Sequence, residues 1–391
     1  MSATTTATMA RVASRPLVDI QQVSTRLQLD QFIRLPWQIY RNDPVWVAPL
    51  LLERKEFLDR RRHPFYLHGS AVQYLAIRDG QVVGRIQASD DPRYNEQHGS
   101  NVGCFGMFEC IDDAGVAHAL LEAAERWLAA RGRTAMMGPI DYSTNYACGL
   151  LVEGFDKPPR FMMGHNPSYY LGLLESFGLA KAKDLYSWWF GGPCDLPIRW
   201  QKRAERLVRR GIVVRPLVRG QLEAEVMRCK NIYNEAWERH WGFVKMTDAE
   251  FHYYGKLLAQ VAVPELIFVA EVDGRPVGFS ITLPDCNEAL RPLDGRLTRW
   301  GLPLGWLRLR KGLKQIRTGR LITLGILEPY RRRGIVELLI LRTLCCAYGE
   351  LGYKDADLGW TLEDNHAINH TIEKVGGVRY KTYRIYEKML D

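Results

Sequence analysis

A strand, a turn and a helix follow one another without a break in the stretch Leu324-Gly-Ile-Leu-Glu-Pro-Tyr-Arg-Arg-Arg-Gly-Ile-Val-Glu-Leu-Leu-Ile340. We expect the strand to end near Leu327 and the helix to begin at Gly334, after a turn that carries three arginines. Backbone N–H groups at a new helix N-terminus have no partner inside the helix, and with the helix dipole they form an anion site. Gly334 has no Cβ to hinder an approaching phosphate. The stretch therefore predicts a pyrophosphate cradle, with a solvated basic turn as the alternative.

The chain carries one pattern twice, at a period of about 195 residues. Alternating apolar residues surround an Asp-Gly turn from Tyr74 to Ile86 and again from Phe268 to Ser280, which predicts two similar hairpins. Further matched pairs occur in the same order, Tyr40 with Tyr233 and Asn166 with Asn365. Several matches at a near-constant spacing indicate a duplicated domain.

Each half is predicted to open with a strand and helices and to continue with the hairpin, another strand and a long amphipathic helix (114–131 and 334–351). A further strand, a short helix and a closing hairpin would complete it. The fold class is therefore α/β, a mixed sheet flanked by helices, in two tandem copies. The predicted divisions are a flexible N-terminus (1–15), a first domain (16–192) and a second domain (193–391), with the linker near 191–198 where Gly and Pro cluster.

Only the second half has the cradle. The equivalent stretch of the first half is Ile111-Asp-Asp-Ala-Gly-Val116. Its two aspartates would repel a pyrophosphate, whereas Arg331, Arg332 and Arg333 would attract one. The sequence therefore predicts a single anion site, in the second half, and a first half that shapes the substrate site without binding the donor.

The cradle resembles the acetyl-coenzyme A motif of the GNAT acyltransferases, written [QR]-x-x-G-x-[GA]; Arg331 and Gly334 match it, and Val336 departs from it. Downstream, Trp360-Thr-Leu-Glu-Asp-Asn365 and Glu373-Lys-Val-Gly-Gly377 resemble the second conserved block of that family. The helix tyrosine of that block, often the general acid, would fall on Ile372. The resemblance implies an acyl-coenzyme A donor. The residues it assigns to the donor are Ile326, Leu327, Arg331, Arg332, Arg333, Gly334, Ile335, Val336 and Asn365, with the Leu327 N–H as the oxyanion donor.

Two further segments look like the bacterial ceramide synthase group. They are Asn231-Ile-Tyr-Asn-Glu-Ala-Trp-Glu-Arg-His-Trp-Gly-Phe243 and Lys381-Thr-Tyr-Arg-Ile-Tyr-Glu-Lys388. That resemblance implies an N-acyltransferase that joins a long-chain acyl group to a sphingoid base such as 3-ketosphinganine. One alternative is a small-molecule or amino-acid N-acyltransferase that uses acetyl-coenzyme A or an acidic acyl carrier protein. The other is a non-catalytic regulatory protein that binds acyl-coenzyme A.

Acyl transfer to an amine needs a base for the amine and an acid for the leaving thiol. His240, Glu238 and Glu363 are candidate bases, and a histidine has an ordinary pKa suited to the role. Tyr383 and Tyr386, on the last predicted hairpin, are candidate acids. Deprotonation through water, without a single base, is the remaining option.

The net charge of +9 and the pI of about 9.1 favour an anionic partner. Eight Lys or Arg and no acidic residue lie between Arg296 and Arg320, interleaved with Leu and Trp. This segment fits an anionic membrane surface, the 3′-phosphate of coenzyme A or plain solvent exposure. No nucleic-acid-binding motif is present. Cysteine spacing predicts reduced thiols without a metal site, and the N-terminus has no apolar signal region. We expect a cytoplasmic protein, with peripheral attachment to the inner face of the membrane as the alternative.

Overall fold

The computed structural model describes residues 18–192, 198–218, 222–298 and 301–390. The predicted N-terminal segment 1–15, most of the linker (193–197) and two residues of the basic segment (299–300) lie outside these ranges. The boundary between residues 192 and 193 therefore stays a prediction. The elements of the first half are β1 (Asp19–Gln22), α1 (Arg26–Ile39), α2 (Leu51–Phe57), a 3-10 turn (Pro64–Leu67), β2 (Ser70–Arg78), β3 (Gln81–Asp90), α3 (Pro92–His98), β4 (Val102–Cys110), α4 (Ala114–Ala129), β5 (Ala135–Gly138), β6 (Leu150–Glu153), α5 (Tyr170–Ser176) and β7 (Ala180–Gly191).

The second half repeats this order with insertions. Its elements are α6 (Ile198–Arg209), β8 (Ile212–Pro216), α7 (Leu222–Ala236), α8 (Asp248–Ala259), a 3-10 turn (Pro264–Leu266), β9 (Ile267–Val272), β10 (Arg275–Pro284), α9 (Asn287–Leu290), a 3-10 turn (Arg291–Leu293), α10 (Leu304–Leu313), β11 (Thr318–Ile326), a 3-10 turn (Glu328–Arg333), α11 (Ile335–Leu344), a π-helical turn (Cys345–Glu350), β12 (Asp355–Leu362), α12 (His366–Lys374) and β13 (Val378–Met389).

Both predicted hairpins are present, as β2–β3 and β9–β10. Asp79 and Gly80 have φ values of 52° and 76°, and Asp273 and Gly274 have φ values of 51° and 75°. Two successive residues with positive φ are the requirement of a type I′ turn, which Asp-Gly meets at low cost. The repeated Asp-Gly signal therefore reports the same local geometry in both halves.

The strands of the described residues form one continuous sheet in the order β1-β2-β3-β4-β5-β13-β7-β12-β11-β10-β9-β8, with β6 also paired to β13. The last strand of each half has crossed to the other half. β13 lies between β5 and β7, and β7 lies beside β12, all antiparallel. The prediction of a closing hairpin within each half is therefore wrong, because each half takes its closing strand from its partner half.

Helices cover both faces of the sheet. The apolar stripe of α4 is buried as predicted, with Val116, Leu120 and Leu121 fully enclosed against the first-half strands. In the second half α11 packs on β9 and β10, and α7 covers the opposite face of β10 and β11. The end of β11 therefore lies between two helical layers, and the predicted cradle is located there.

Candidate active site

The predicted cradle has the expected local structure. β11 ends at Ile326, a 3-10 turn carries the arginines, and α11 begins at Ile335. Gly334 is the N-cap residue with a φ of 84°, and no side chain caps the helix. A residue with a Cβ would be strained at that φ, so the position favours glycine. The first N–H groups of α11 are thus free of side-chain caps and available to an anion.

Arg331 also has a structural role at this site. Its Nε donates to the Ile326 carbonyl at 3.2 Å, and its Nη2 donates to the carbonyl of Ala236 at the end of α7. These bonds join the end of β11 to α7 while the positive charge stays at the cradle. The guanidinium of Arg333 lies 4.9 Å from the ring centroid of Tyr330. Arg332 and Arg333 are exposed, so both reach solvent beside the helix N-terminus.

β11 and β12 pair for only three residues and then diverge. Their parallel register ends with Arg320 opposite Asp357. N–H groups point alternately to the two sides of a strand. The Leu327 N–H donates to the Val277 carbonyl at 2.9 Å, which sets the alternation: Leu324 and Ile326 direct their N–H groups away from β10, into the opening. The prediction of Leu327 as the oxyanion donor is therefore wrong, because β10 already uses its N–H.

The opening continues into a cavity of about 1560 Å³ that both halves of the chain line. Its wall is mostly apolar. Representative lining residues are Trp237, Leu324 and Val336 from the second half and Trp46, Phe57 and Tyr146 from the first. Ligand pockets for small molecules usually measure about 300–1,000 Å³, so this cavity has room for more than an acetyl group.

His240 is the predicted base that the structure places on the cavity wall. It follows α7 and is half-buried. Burial, together with the positive charge of Arg331, lowers its pKa below the ordinary 6.5, although a hydrogen bond to the Trp237 backbone and the charge of Asp364 act in the opposite direction. The imidazole is therefore neutral at pH 7 and able to accept a proton.

The two predicted carboxylate bases lie elsewhere. Glu238 is exposed and paired with Lys245, and its pKa is lowered by that contact. Glu363 forms an ion pair with Lys181 at 2.6 Å and accepts the Asp184 N–H at 3.1 Å. Neither side chain lines the cavity. Both predictions are wrong, because these carboxylates are neutralised by lysines outside the site.

The two predicted acids are packing residues. Tyr383 is fully buried and donates to the Gly164 carbonyl at 3.1 Å, and burial raises its pKa far above 10. Tyr386 belongs to the first-half core and donates to Glu175 at 3.1 Å, and burial raises its pKa to about 12. Both are wrong as acids, since their protons are held in hydrogen bonds away from the opening. Ile372, in place of the family tyrosine, lines the cavity from α12, and so does Asn365 at the N-cap of that helix.

The basic segment divides into a surface helix and a buried arginine. α10 lies on α9, with Gly312 directly against Ala289. Trp306 and Leu307 are 46% and 61% exposed, and Trp306 and Arg310 line the rim of the cavity. Arg320 does not belong to this surface, because it lies in β11, is 4% exposed and pairs with Asp357. None of the helices among the described residues has the length and apolarity needed to cross a membrane.

A first-half segment reaches the point where β11 and β12 diverge. Arg320 donates through Nε to the Phe161 carbonyl at 3.2 Å, and its Nη2 lies 2.9 Å from Met163 Sδ. Sequence reasoning missed this contribution. The one available signal was a charged residue, Arg320, inside an otherwise apolar strand, which indicates a buried partner.

The corresponding site of the first half is closed by its own residues. Asp113 caps α4 by accepting the Val116 N–H at 3.1 Å and pairs with Arg78 at 3.1 Å. Between β4 and β5, Asp141 accepts the Met107 N–H at 2.9 Å. Carboxylates thus occupy the backbone N–H groups of the first half that correspond to those left open in the second, and the absence of a donor site in this half stays a prediction.

No protein-family model matches the chain. The bacterial ceramide synthase of Caulobacter vibrioides is 39% identical over 376 residues, which cover 94% of this chain and 96% of that protein. Protein YghO of Escherichia coli K12 is 35% identical over 368 residues, 93% of each chain.

Two solved structures share the fold. The tandem GNAT protein from the clavulanic acid biosynthesis pathway superposes with a TM-score of 0.54 at 10% identity, over 96% of this chain and 99% of that chain. A GCN5-related N-acetyltransferase from Sphaerobacter thermophilus gives a TM-score of 0.52 at 14% identity, over 95% and 96%. These likenesses confirm the predicted fold, two tandem GNAT copies.

Proposed function

Because the chain belongs to the GNAT-type N-acyltransferase family that includes the bacterial ceramide synthase, we propose that it transfers a long-chain acyl group from acyl-coenzyme A to a sphingoid base. The activity, N-acyl transfer, follows from the family. The observation that carries the finer proposal is the cavity of about 1560 Å³, apolar and continuous with the opening between β11 and β12. An acetyl group would leave most of that volume in contact with water, whereas two long chains would cover the apolar wall.

The donor is held by backbone groups at the end of β11. We assign the pyrophosphate to the N–H groups of Ile335 and Val336, with charge from the three arginines. Gly334 keeps the approach to these groups open. The pantetheine arm follows β11, where Leu324 and Ile326 offer N–H groups to its amides. Asn365, at the start of α12, lies on the wall of the same opening.

The chemistry joins a neutral amine to the thioester carbonyl. Backbone N–H groups of β11 that face the opening stabilise the developing oxyanion, as preorganised donors do in acyl transfer. Leu327 has no part in this, because its N–H is bonded to β10, and N–H groups of β11 that face the opening farther from the cradle take the role instead. His240 is one candidate for the base, since it is neutral and lines the cavity. The coenzyme A thiolate is the leaving group.

The acceptor enters from a membrane surface beside α10. Trp306 and Leu307 expose apolar surface, and Arg308, Arg310 and Lys311 are exposed on the same helix. Basic residues near an anionic bilayer contribute about 1 kcal/mol each to binding, and Trp and Leu insert at the interface. This helix borders the cavity, so a lipid amine could pass from the bilayer to the opening without crossing water. The protein would then act at the inner face of the cytoplasmic membrane.

An assay of thiol release tests the function. The enzyme is given palmitoyl-coenzyme A or acetyl-coenzyme A, each with 3-ketosphinganine, sphinganine or a panel of amino acids. We expect turnover with the palmitoyl donor and a sphingoid base. Turnover only with acetyl-coenzyme A and amino acids would favour a small-molecule enzyme. The same assay with acylated carrier protein in place of acyl-coenzyme A tests the alternative donor. Donor binding without turnover on any amine would favour a regulatory protein.

Flotation with anionic vesicles tests the membrane surface. The triple variant Arg308→Glu, Lys311→Glu, Lys314→Glu, at exposed residues that do not line the cavity, should lose vesicle binding and keep acyl-coenzyme A affinity. A matched triple reversal on the exposed face of α6, Arg206→Glu, Arg209→Glu and Lys202→Glu, should float as the wild type does. Failure of the wild type to float on anionic vesicles would remove the membrane proposal.

A further inference from the structure

A second imidazole lines the cavity, and sequence reasoning did not find it. His165 lies before α5, and its side chain is 4% exposed. Its Nε2 lies 2.7 Å from Asp43 Oδ2, while its buried Nδ1 has no hydrogen-bond partner among the described residues. An ionised carboxylate only accepts hydrogen bonds, so Nε2 carries the proton and Nδ1 keeps a lone pair.

The pair is held in place by its neighbours. The second carboxylate oxygen of Asp43 accepts the N–H groups of Val45 at 2.9 Å and Trp46 at 3.2 Å. The Tyr40 hydroxyl donates to the His165 carbonyl at 3.0 Å. Burial lowers the pKa of His165 although Asp43 opposes that shift, so the imidazole is neutral at pH 7. A neutral imidazole oriented by a carboxylate is the arrangement that makes a histidine an effective proton acceptor.

The position of His165 in the cavity favours its contact with the thioester end of the donor. The segment that contains it contacts Arg320 through Phe161 and Met163, where β11 and β12 begin to diverge. From Ile326 to Arg320 the strand spans about 20 Å at roughly 3.3 Å per residue. An extended pantetheine arm that enters at the cradle therefore carries its thioester toward this segment. His240, whose pKa responds to Arg331, lies at the opposite, cradle end.

We propose that His165, oriented by Asp43, is the general base of the acyl transfer; this rests on the proposed function. The amine nitrogen forms a bond to the thioester carbon, and the carbon–sulfur bond breaks. His165 Nδ1 takes the proton that the amine loses, and the resulting imidazolium returns it to the coenzyme A thiolate. Amide and free thiol are the products, so atoms and charges balance. Asp43 is a positioning residue, because it acts through the imidazole.

If His165 had only a structural role, replacing it would change the stability of the protein and leave the turnover of the folded enzyme intact. Buried ring nitrogens of His63 and His68 also have no hydrogen-bond partner among the described residues, but those side chains do not line the cavity, whereas His165 does. A substrate bound in the cavity can therefore supply the missing partner of His165 and of neither other histidine.

The experiment compares glutamine variants in full-length protein with palmitoyl-coenzyme A and sphinganine. In His165→Gln, the amide Nε2 keeps the donor to Asp43 and removes the base. We expect kcat to fall by about 100-fold or more, the usual contribution of general base catalysis. Acyl-coenzyme A affinity, measured by calorimetry, should stay within about 2-fold. Asp43→Asn should lower kcat by about 10-fold or more through the lost orientation of the ring, with little change in KM.

His118→Gln, an imidazole of the first half that bonds to Ser176 outside the cavity, is the matched control and should retain wild-type turnover. Free imidazole should restore part of the activity of His165→Ala, a rescue that a structural defect would not show. A His165→Gln enzyme within about 3-fold of wild-type kcat overturns the base assignment, and so does a loss confined to His240→Gln. If His165→Gln fails to fold, Asp43→Asn and the imidazole rescue decide. Absence of wild-type turnover on any sphingoid base instead removes the proposed function.

Discussion

The helices that follow β4 and β11 occupy equivalent positions in the two halves, but their N-termini are capped differently. In the first half Asp113 accepts the Val116 N–H and so fills the N-terminus of α4 with a carboxylate. In the second half Gly334 stands at the N-cap of α11 without a side-chain cap. A carboxylate at the N-cap of α4 thus occupies the kind of unpaired N–H group that the glycine at the N-cap of α11 leaves open.

The gap between β4 and β5 is likewise filled by the chain's own groups, whereas the gap between β11 and β12 is open. Between β4 and β5 the chain folds back on itself, so that the Ile140 N–H donates to the Phe105 carbonyl at 2.7 Å and Asp141 accepts the Met107 N–H. Between β11 and β12 the N–H groups of Leu324 and Ile326 face the cavity instead. The duplicated fold therefore supplies two equivalent frames, and local side chains occupy the backbone N–H groups of one frame and leave those of the other open to the cavity.

Gly334→Val should have the largest effect on this comparison. The branched side chain meets a φ of 84° and crowds the N–H groups that the pyrophosphate needs. We expect acyl-coenzyme A affinity to fall by about 100-fold or more, equal to about 2.7 kcal/mol, measured by calorimetry. Gly352→Val is the control, because Gly352 has a similar φ of 68°, has open space around it and does not line the cavity. Wild-type donor affinity in Gly334→Val would refute the cradle.

Gly334→Asp and Gly334→Asn together isolate the charge that distinguishes the two halves. Both residues tolerate a left-handed backbone, and both are able to cap a helix. The aspartate additionally reproduces the negative charge of Asp113. We expect Gly334→Asp to bind acyl-coenzyme A about 10-fold more weakly than Gly334→Asn, a difference of about 1.4 kcal/mol. Equal affinities would show that charge does not separate the halves.

Asp113→Ala tests the first half and should have the smallest effect. Loss of an N-cap costs about 1 kcal/mol of unfolding free energy, which urea denaturation measures. Arg78 holds the pKa of Asp113 below its ordinary 3.8, so this stabilisation is present at neutral pH and is lost as the pH falls through the lowered pKa. Asp112→Ala, at an exposed neighbour, is the control. The affinity of Asp113→Ala for acyl-coenzyme A should equal that of the wild type. Binding of a second equivalent of donor to this variant would show that Asp141 does not block the first-half site.

Local sequence signals predicted what local geometry controls. The Asp-Gly turns at Asp79 and Asp273 and the strand–turn–helix around Gly334 were predicted in place, because each depends on a few adjacent residues. The residues that do the chemistry were predicted less well. Glu238, Glu363, Tyr383 and Tyr386 are paired or packed elsewhere, since a residue type and its approximate position do not reveal which partner neutralises it.

The sequence by itself determined the duplicated pattern, the strand–turn–helix around Gly334 and the family of the protein, because turn residues, periodic apolar positions and an uncapped helix start are contiguous signals. Only the tertiary structure decided that the closing strands β7 and β13 are exchanged between the halves, and that Ile326 rather than Leu327 turns its N–H toward the opening. It also brought His165 to Asp43 across 122 residues. These features depend on strand register and on pairing between distant segments, and such pairing is selected by the packing of the whole sheet rather than by any local stretch of the chain.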